Sequence, residues 1–217
     1  LSRYSGLPEL PRVSRFHVLN QKASARLYCR EHGLNYEDIN LVVVHMGGGT
    51  SVAAHKKGRL VDGNNGLDGD GPFSTDRTGS LPVGGLIDMC YSGKYTHAEM
   101  RRKIKGQGGL MAYVHDTDVK AIEAKALAGD EDCKKALDAM IYQTAQEIGK
   151  KAVTLKGDVN AIILTGGIAH SKYVTDVIRD YVSSIAPVYV YPGEREMESL
   201  GEQSYEALIG KAEVFEL

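Results

Sequence analysis

The sequence predicts an α/β fold in which parallel strands are covered by helices. Two observations carry it. "NLVVVH" is a short β-branched run that reads as a strand buried on both faces, and it ends in three consecutive glycines, Gly47, Gly48 and Gly49. The last third of the chain alternates strand, helix, strand, helix, a pattern that implies parallel strands with helices packed on them. At 217 residues the chain is long enough for one large domain or two small ones, and its 42% hydrophobic content allows a sizeable core.

In chain order, "SRFHVLNQKASARLYCREHG" reads as a helix with Phe16, Leu19, Ala23 and Leu27 on its apolar face and Gly33 as its stop. After the buried strand, "TSVAAHKKGRLVDGNN" reads as a hairpin turning near Lys57 and Gly58. From Gly63 to Gly85 the chain is loop-like, with seven glycines and two prolines. So long a loop inside a compact domain is usually functional or disordered. "GGLIDMCYSGKYTHAEMRRKIKGQGG" predicts short helices with glycine breaks. Asp118 to Gly157 is helical with a break near Gly129. Its longer half carries a core-facing stripe of Cys133, Leu137, Met140, Ile141, Thr144, Ile148, Ala152 and Leu155. The strand "NAIILTGG", the helix "SKYVTDVIRDYVSSI", the strand "PVYVYPGE" and the helix "SLGEQSYEALIG" follow.

Composition narrows the function. A net charge of -2 without a basic run argues against nucleic acid as a main partner. No apolar stretch approaches the roughly 18 residues of a membrane span, and no charged-then-apolar leader opens the chain, so a cytoplasmic location is expected. Cys29, Cys90 and Cys133 form no CxxC pair and read as reduced, mostly structural thiols rather than a zinc site. The opening "LSRYSGLPEL" lacks a methionine, which points to a processed start or a cut from a longer protein.

Two strands end in glycine, "VVVHMGGGTS" and "IILTGGIAHS". In parallel sheets ligands collect at the carboxyl ends of strands. Glycines there let backbone N–H groups converge on an anion. A phosphate chain is expected at the first turn and purine or ribose near the second. Either turn alone would also suit a tight bend, and neither GxxxxGK[ST] nor GxGxxG occurs. In "NNGLDGDGPFSTDRTGSLP", Arg77 lies among Asp68, Asp70 and Asp76. Its planar fork suits phosphoryl oxygens, and a solvated arginine paired with Asp76 is the alternative. His45 is either a ligand-facing imidazole beside the glycine turn or a satisfied half-buried side chain.

These residues carry a resemblance. "VVVHMGGGTSVAAHKKGRLVDGNNGLDGDGPFSTDRTGSLP", "SGLPELPRVSRFHVLNQKA", "AIILTGGIAHS" and "VYVYPGEREMESLGEQSYEAL" resemble the acetate kinase family, and within it the butyrate kinase branch. Acetate-specific members carry a differently worded glycine turn. The resemblance covers essentially the whole chain. It implies a ribonuclease-H-like domain, a mixed sheet with helices on both faces, forming one half of an acetate kinase/actin-like two-domain fold. It also implies reversible phosphorylation of butyrate or another short-chain carboxylate by ATP with Mg2+, running towards ATP in fermentation. Carried over by motif, His45 and Arg77 resemble the pair that binds the transferring phosphoryl group. Gly47, Gly48 and Gly49 would border the phosphates, and Gly166, Gly167 and Ile168 would face the adenosine. Glu196, or alternatively Glu194, would help place the metal. The family's Asn-Pro-Gly-Ser-Thr-Ser-Thr-Lys-like loop, its catalytic aspartate and a second arginine precede the stretch that matches residue 1. The expectation is therefore residues 1–36 as the end of a first domain with a connecting helix, residues 37–217 as the C-terminal nucleotide-binding domain, and no activity from this chain by itself. A homodimer or higher homo-oligomer is also implied. Acetate or propionate kinase, or a non-catalytic nucleotide-binding module, are the alternatives.

Overall fold

The structure, a computed structural model, describes residues 1–210. Its elements are α1 Val18–His32, β1 Asn40–Met46, β2 Thr50–Lys56, β3 Arg59–Gly63, α2 Val83–Tyr91, α3 His97–Ile104, α4 Gly109–Val114, α5 Val119–Leu127, α6 Glu131–Thr154, β4 Ala161–Gly166, α7 Lys172–Val182, β5 Val188–Pro192 and α8 Glu196–Leu208. The strands form one mixed sheet in the order β3-β2-β1-β4-β5. The hairpin supplies the antiparallel pairs, and β1, β4 and β5 run parallel. The hairpin turns at Lys57 and Gly58, both with positive φ, as expected.

Successive strand residues point to opposite faces, and the two cores follow that alternation. Val42, Val44, Met46, Val52, Ala54, Ile162 and Leu164 pack with α5, α6 and α7. Leu41, Val43, Ala161 and Ile163 pack with Ala25, Tyr28 and Cys29 of α1. All eight residues of the α6 stripe are buried. Asp118 and Asp130 cap α5 and α6 by accepting from backbone N–H groups of the first turn, so the break between them falls beside Gly129. Lys151, only 1% exposed, ties α6 to the hairpin by pairing with Asp62 at 3.1 Å and Glu147 at 3.1 Å.

Two expectations need correcting. The first helix exists and stops at Gly33, but only Ala23 of its four expected apolar residues is buried, and the buried face is mixed, with Ala25, Tyr28 and Cys29 beside polar side chains. Phe16, Leu19 and Leu27 are half-buried, whereas Asn20, Gln21 and Ser24 are fully buried. The sheet beneath is the reason: His45, Ser51, His55 and Thr165 point at α1 and need hydrogen-bond partners. Gly84 and Gly85 lie inside α2 rather than in the loop, and α2 buries none of its residues although Val83, Ile87 and Met89 are apolar. Cys29 and Cys133 are buried, Cys90 is exposed, and all three are free. Among the described residues no helix is long and apolar enough to cross a membrane.

Leu137 is fully buried and Leu27 is not. Leu137→Ala is expected to cost about 2–5 kcal/mol in urea unfolding, with Leu27→Ala well below that. Equal costs would show that the apolar edge of α1 is core after all.

Candidate active site

β1 and β4 are parallel neighbours, so the two glycine turns emerge side by side at one edge of the sheet. Not every glycine there makes room for a visitor. Gly166 has φ +90°, and a Cβ on it would lie 2.8 Å from the Met46 nitrogen and 2.9 Å from its carbonyl carbon. The two strand ends thus touch through main chain alone. A Cβ on Gly49 would strike the Arg77 guanidinium and sit 2.9 Å from the Gly66 carbonyl oxygen. Gly48 and Gly167, in contrast, have nothing near their Cβ positions. One glycine of each turn is therefore filled by the protein itself, and one faces open space.

Arg77 is delivered by the glycine-rich loop, whose conformation is fixed by side chains. Asn64 accepts from the Val52 N–H at 2.7 Å and donates to the Thr50 carbonyl at 3.1 Å, which welds the loop to β2. Ser74 Oγ donates to the Gly48 carbonyl at 2.7 Å, joining the loop to the first glycine turn. Arg77 Nη1 donates to the Gly66 carbonyl at 2.8 Å. Its side chain is only 22% exposed, so it is not a solvated surface arginine. Asp76 does lie beside it, with Nε and Oδ1 3.7 Å apart, but both atoms are buried without a hydrogen-bond partner. The guanidinium is anchored at one nitrogen and unsatisfied at another.

His45 stands at the end of β1, paired in register with Ser51 on one side and Thr165 on the other. Its Nδ1 lies 2.6 Å from Asn20 Nδ2. The orientation of the Asn20 amide is set by Oδ1, which accepts the Arg195 backbone N–H at 2.9 Å. Nδ2 must then donate, His45 Nδ1 must accept, and the imidazole proton resides on Nε2, the atom beside Gly47. Burial holds the ring neutral, its pKa down to about 3, with His17 adding to the effect.

His17 is the residue the sequence reading overlooked. It sits at the N-terminal boundary of α1, with its ring stacked on His45 at a centroid distance of 3.7 Å. Burial is the main cause of its lowered pKa. Glu196 opposes that effect, Arg77 adds to it, and Glu194 opposes it. These charges are thus within Coulombic reach of His17. The available signal was the polar triplet Asn20, Gln21 and Ser24 on one face of an otherwise core-bound helix, beside a histidine.

The second turn opens on a cleft of about 510 Å3 lined by Gly167, Ile168, His170 and Ser171 together with Val119, Lys120 and Glu123 of α5. That volume lies within the usual range for small-ligand sites. Ile168 is itself mostly buried, and Gly166 is not part of the lining. Glu196 opens α8 and is half-buried, while Glu194 is exposed. Among the described residues no group of three or more His, Cys, Asp or Glu side chains could hold a metal ion.

Sheet order and helix placement define a ribonuclease-H-like α/β protein. Acetate kinases of Entamoeba histolytica and Porphyromonas gingivalis share the fold, with TM-scores of 0.82 and 0.80, identities of 18% and 20%, 94% of this chain covered in both, and 62% and 59% of theirs. The chain belongs to the Acetokinase family, whose sequence signature matches residues 16–209. It is 52% identical over 211 residues to butyrate kinase 1 of Clostridium acetobutylicum, covering 97% of this chain and 59% of that protein. It is 48% identical over 214 residues to a probable butyrate kinase of Bacteroides thetaiotaomicron, with 99% and 61% covered. The chain therefore spans about 60% of the length of the curated relatives it matches.

Two buried neutral imidazoles have a consequence for stability. Burial depresses the pKa values of His45 and His55 to about 3. Their contribution is complete above the unfolded-state value near 6.5 and is lost as pH falls from there towards 3. Stability should drop by roughly 2 kcal/mol for each histidine between pH 7 and pH 5. Urea unfolding at the two pH values measures this, and a flat profile would contradict the neutral assignment.

Proposed function

We propose that this chain forms the nucleotide-binding and phosphoryl-clamping part of a butyrate kinase, which transfers the γ-phosphoryl group of ATP to a short-chain carboxylate and reverses the reaction to make ATP. One observation carries the reading. His17, His45 and the partly unsatisfied Arg77 gather at the strand ends that also carry the open glycines Gly48 and Gly167.

The chemistry asks for little more than this. A carboxylate is already ionised at neutral pH, so the nucleophile needs no general base. Its oxygen forms a bond to the γ-phosphorus while the bond to the ADP oxygen breaks, and the charge spreads over the equatorial oxygens. Arg77 would meet that charge with donors fixed before the substrate arrives. His45 would add a neutral N–H from Nε2, and His17 would contribute beside it. Gly47, Gly48 and Gly49 would border the phosphates, with Gly48 the open position. Gly167 and Ile168 would face the adenosine in the cleft beside α5. Gly166 would support them by holding β4 against Met46.

The residues fit a magnesium ion of the kind bound with nucleotide. Such an ion takes one or two carboxylates and completes its octahedron with phosphate oxygens and water, so no cage of three protein ligands is needed. Glu196 would hold it, being less exposed than Glu194 and exerting the larger effect on His17. When bound, the ion would offset the negative charge of the phosphates. A nucleotide-binding module without catalysis would have no use for a desolvated arginine at the strand ends, which favours the kinase.

In the full-length protein, Arg77→Ala should lower turnover by two orders of magnitude or more, about 3 kcal/mol of transition-state stabilisation, with a much smaller change in nucleotide affinity. Near-normal turnover would return Arg77 to a purely structural role. Calorimetry of this chain with magnesium-ADP should show weak binding that Gly167→Val weakens further. No heat at millimolar nucleotide would remove the cleft from consideration.

A further inference from the structure

Beneath His17 runs a line of buried polar side chains that the proposed chemistry does not use. Tyr36 Oη lies 2.7 Å from His55 Nδ1, and His55 Nε2 lies 3.2 Å from Gln21 Oε1. Gln21 Nε2 reaches the Ser51 carbonyl at 3.2 Å and Ser51 Oγ at 3.1 Å. Ser51 Oγ lies 3.0 Å from His17 Nδ1. Gln21, Ser51 and His55 are completely buried, and Tyr36 is 5% exposed. Water therefore cannot substitute for a missing partner along most of the line.

Only one arrangement of protons satisfies all of it. The Ser51 carbonyl can only accept, so the Gln21 amide must point Nε2 at Ser51 and Oε1 at His55. His55 must then donate from Nε2. Burial keeps that ring neutral, so its Nδ1 accepts the Tyr36 hydroxyl proton. At the other end Ser51 Oγ receives a Gln21 proton and has its own proton to place. Among the described hydrogen bonds that proton has one acceptor, His17 Nδ1. The line has a direction: every member donates towards His17.

We propose that Gln21 and Ser51 are positioning residues that lock neutral His17 in the tautomer with its proton on Nε2, so that the ring faces the transferring phosphoryl group as a donor. A ring with Nδ1 protonated would turn a lone pair towards an anion, which repels it. His55 and Tyr36 support the lock by holding the Gln21 amide in the one useful orientation. The Asn20 amide does the same for His45, so both stacked rings are polarised alike. The catalytic half of this proposal rests on the kinase reading above, whereas the tautomer half stands on the hydrogen bonds alone.

The test is proton–nitrogen correlation NMR of the full-length protein with 15N-labelled histidine, which reads the tautomer of each ring without any assay of activity. Unmodified protein at neutral pH should show His17 protonated at Nε2. Ser51→Ala and Gln21→Met should mix the two tautomers, and Ser51→Thr, which keeps the hydroxyl, should restore the single form. In the kinase assay the first two variants should lose about tenfold in kcat with little change in KM for nucleotide, the scale on which an orienting partner acts on a histidine. His17 protonated at Nδ1 in the unmodified protein would overturn the proposal. So would a folded Gln21→Met or Ser51→Ala that keeps the single tautomer. A protein with the expected tautomers but no kinase activity in unmodified form would sink the kinase reading and leave the lock standing. Mixed tautomers with unchanged kcat would sever the lock from catalysis.

Discussion

The Asn20 amide is the joint on which the candidate site depends. It donates to His45 at the end of β1 and to Thr165 on β4, and it accepts from the Arg195 backbone just before α8. Three parts of the chain far apart in sequence meet on one side chain. The interaction is buried, so its loss would leave polar groups unpaired in a medium where that costs about 1–3 kcal/mol each. Around it, Ser24 donates to Thr165, and Gln21 binds Ser51 and His55. The layer between α1 and the sheet is apolar towards the amino-terminal half of β1 and polar towards its carboxyl end. This gradient lets one helix serve both as core and as support for the site. A network of this kind is stable only when complete, and it then admits few alternative packings.

The same economy governs the glycine turns. Three consecutive glycines after a buried strand suggest a phosphate cradle, yet the space at Gly49 belongs to Arg77. The glycine is needed so that an arginine can reach the strand end with its Nη1 on the Gly66 carbonyl. Gly166 similarly permits contact between the ends of β4 and β1. Close approach of protein to protein, rather than of ligand to protein, explains half of these positions. The long loop is the other half of that device. Asn64 stands in for a strand residue and Ser74 ties the loop to Gly48, so Arg77 is held by a fixed scaffold in spite of the glycine content around it.

The secondary structure was largely legible from the chain. Hydrophobic periodicity defined β1, the α6 stripe and the alternating last third, because burial of an amphipathic face is a local pattern with a fixed period. The hairpin was legible from Lys57 and Gly58, and the break before α6 from Gly129. The two glycine turns lie side by side as the sequence implied, because parallel strands bring their carboxyl ends together. The buried face of α1 was legible only in part. Leu19 and Leu27 advertised one side, while the packed side carries Asn20, Gln21 and Ser24 beside Ala23, Ala25, Tyr28 and Cys29.

By itself, then, the sequence determined the α/β class, the order of elements, the core stripe and the location of the glycine turns, since each follows from contacts close in sequence or from a repeating pattern. Tertiary structure alone decided that His17 stacks on His45, that Arg77 fills the space at Gly49, and that α1 buries Asn20, Gln21 and Ser24 with its apolar residues. Those facts join residues 28, 28 and up to 175 positions apart. No periodicity reports such pairings, because a buried polar side chain is favourable only once its distant partner is in place.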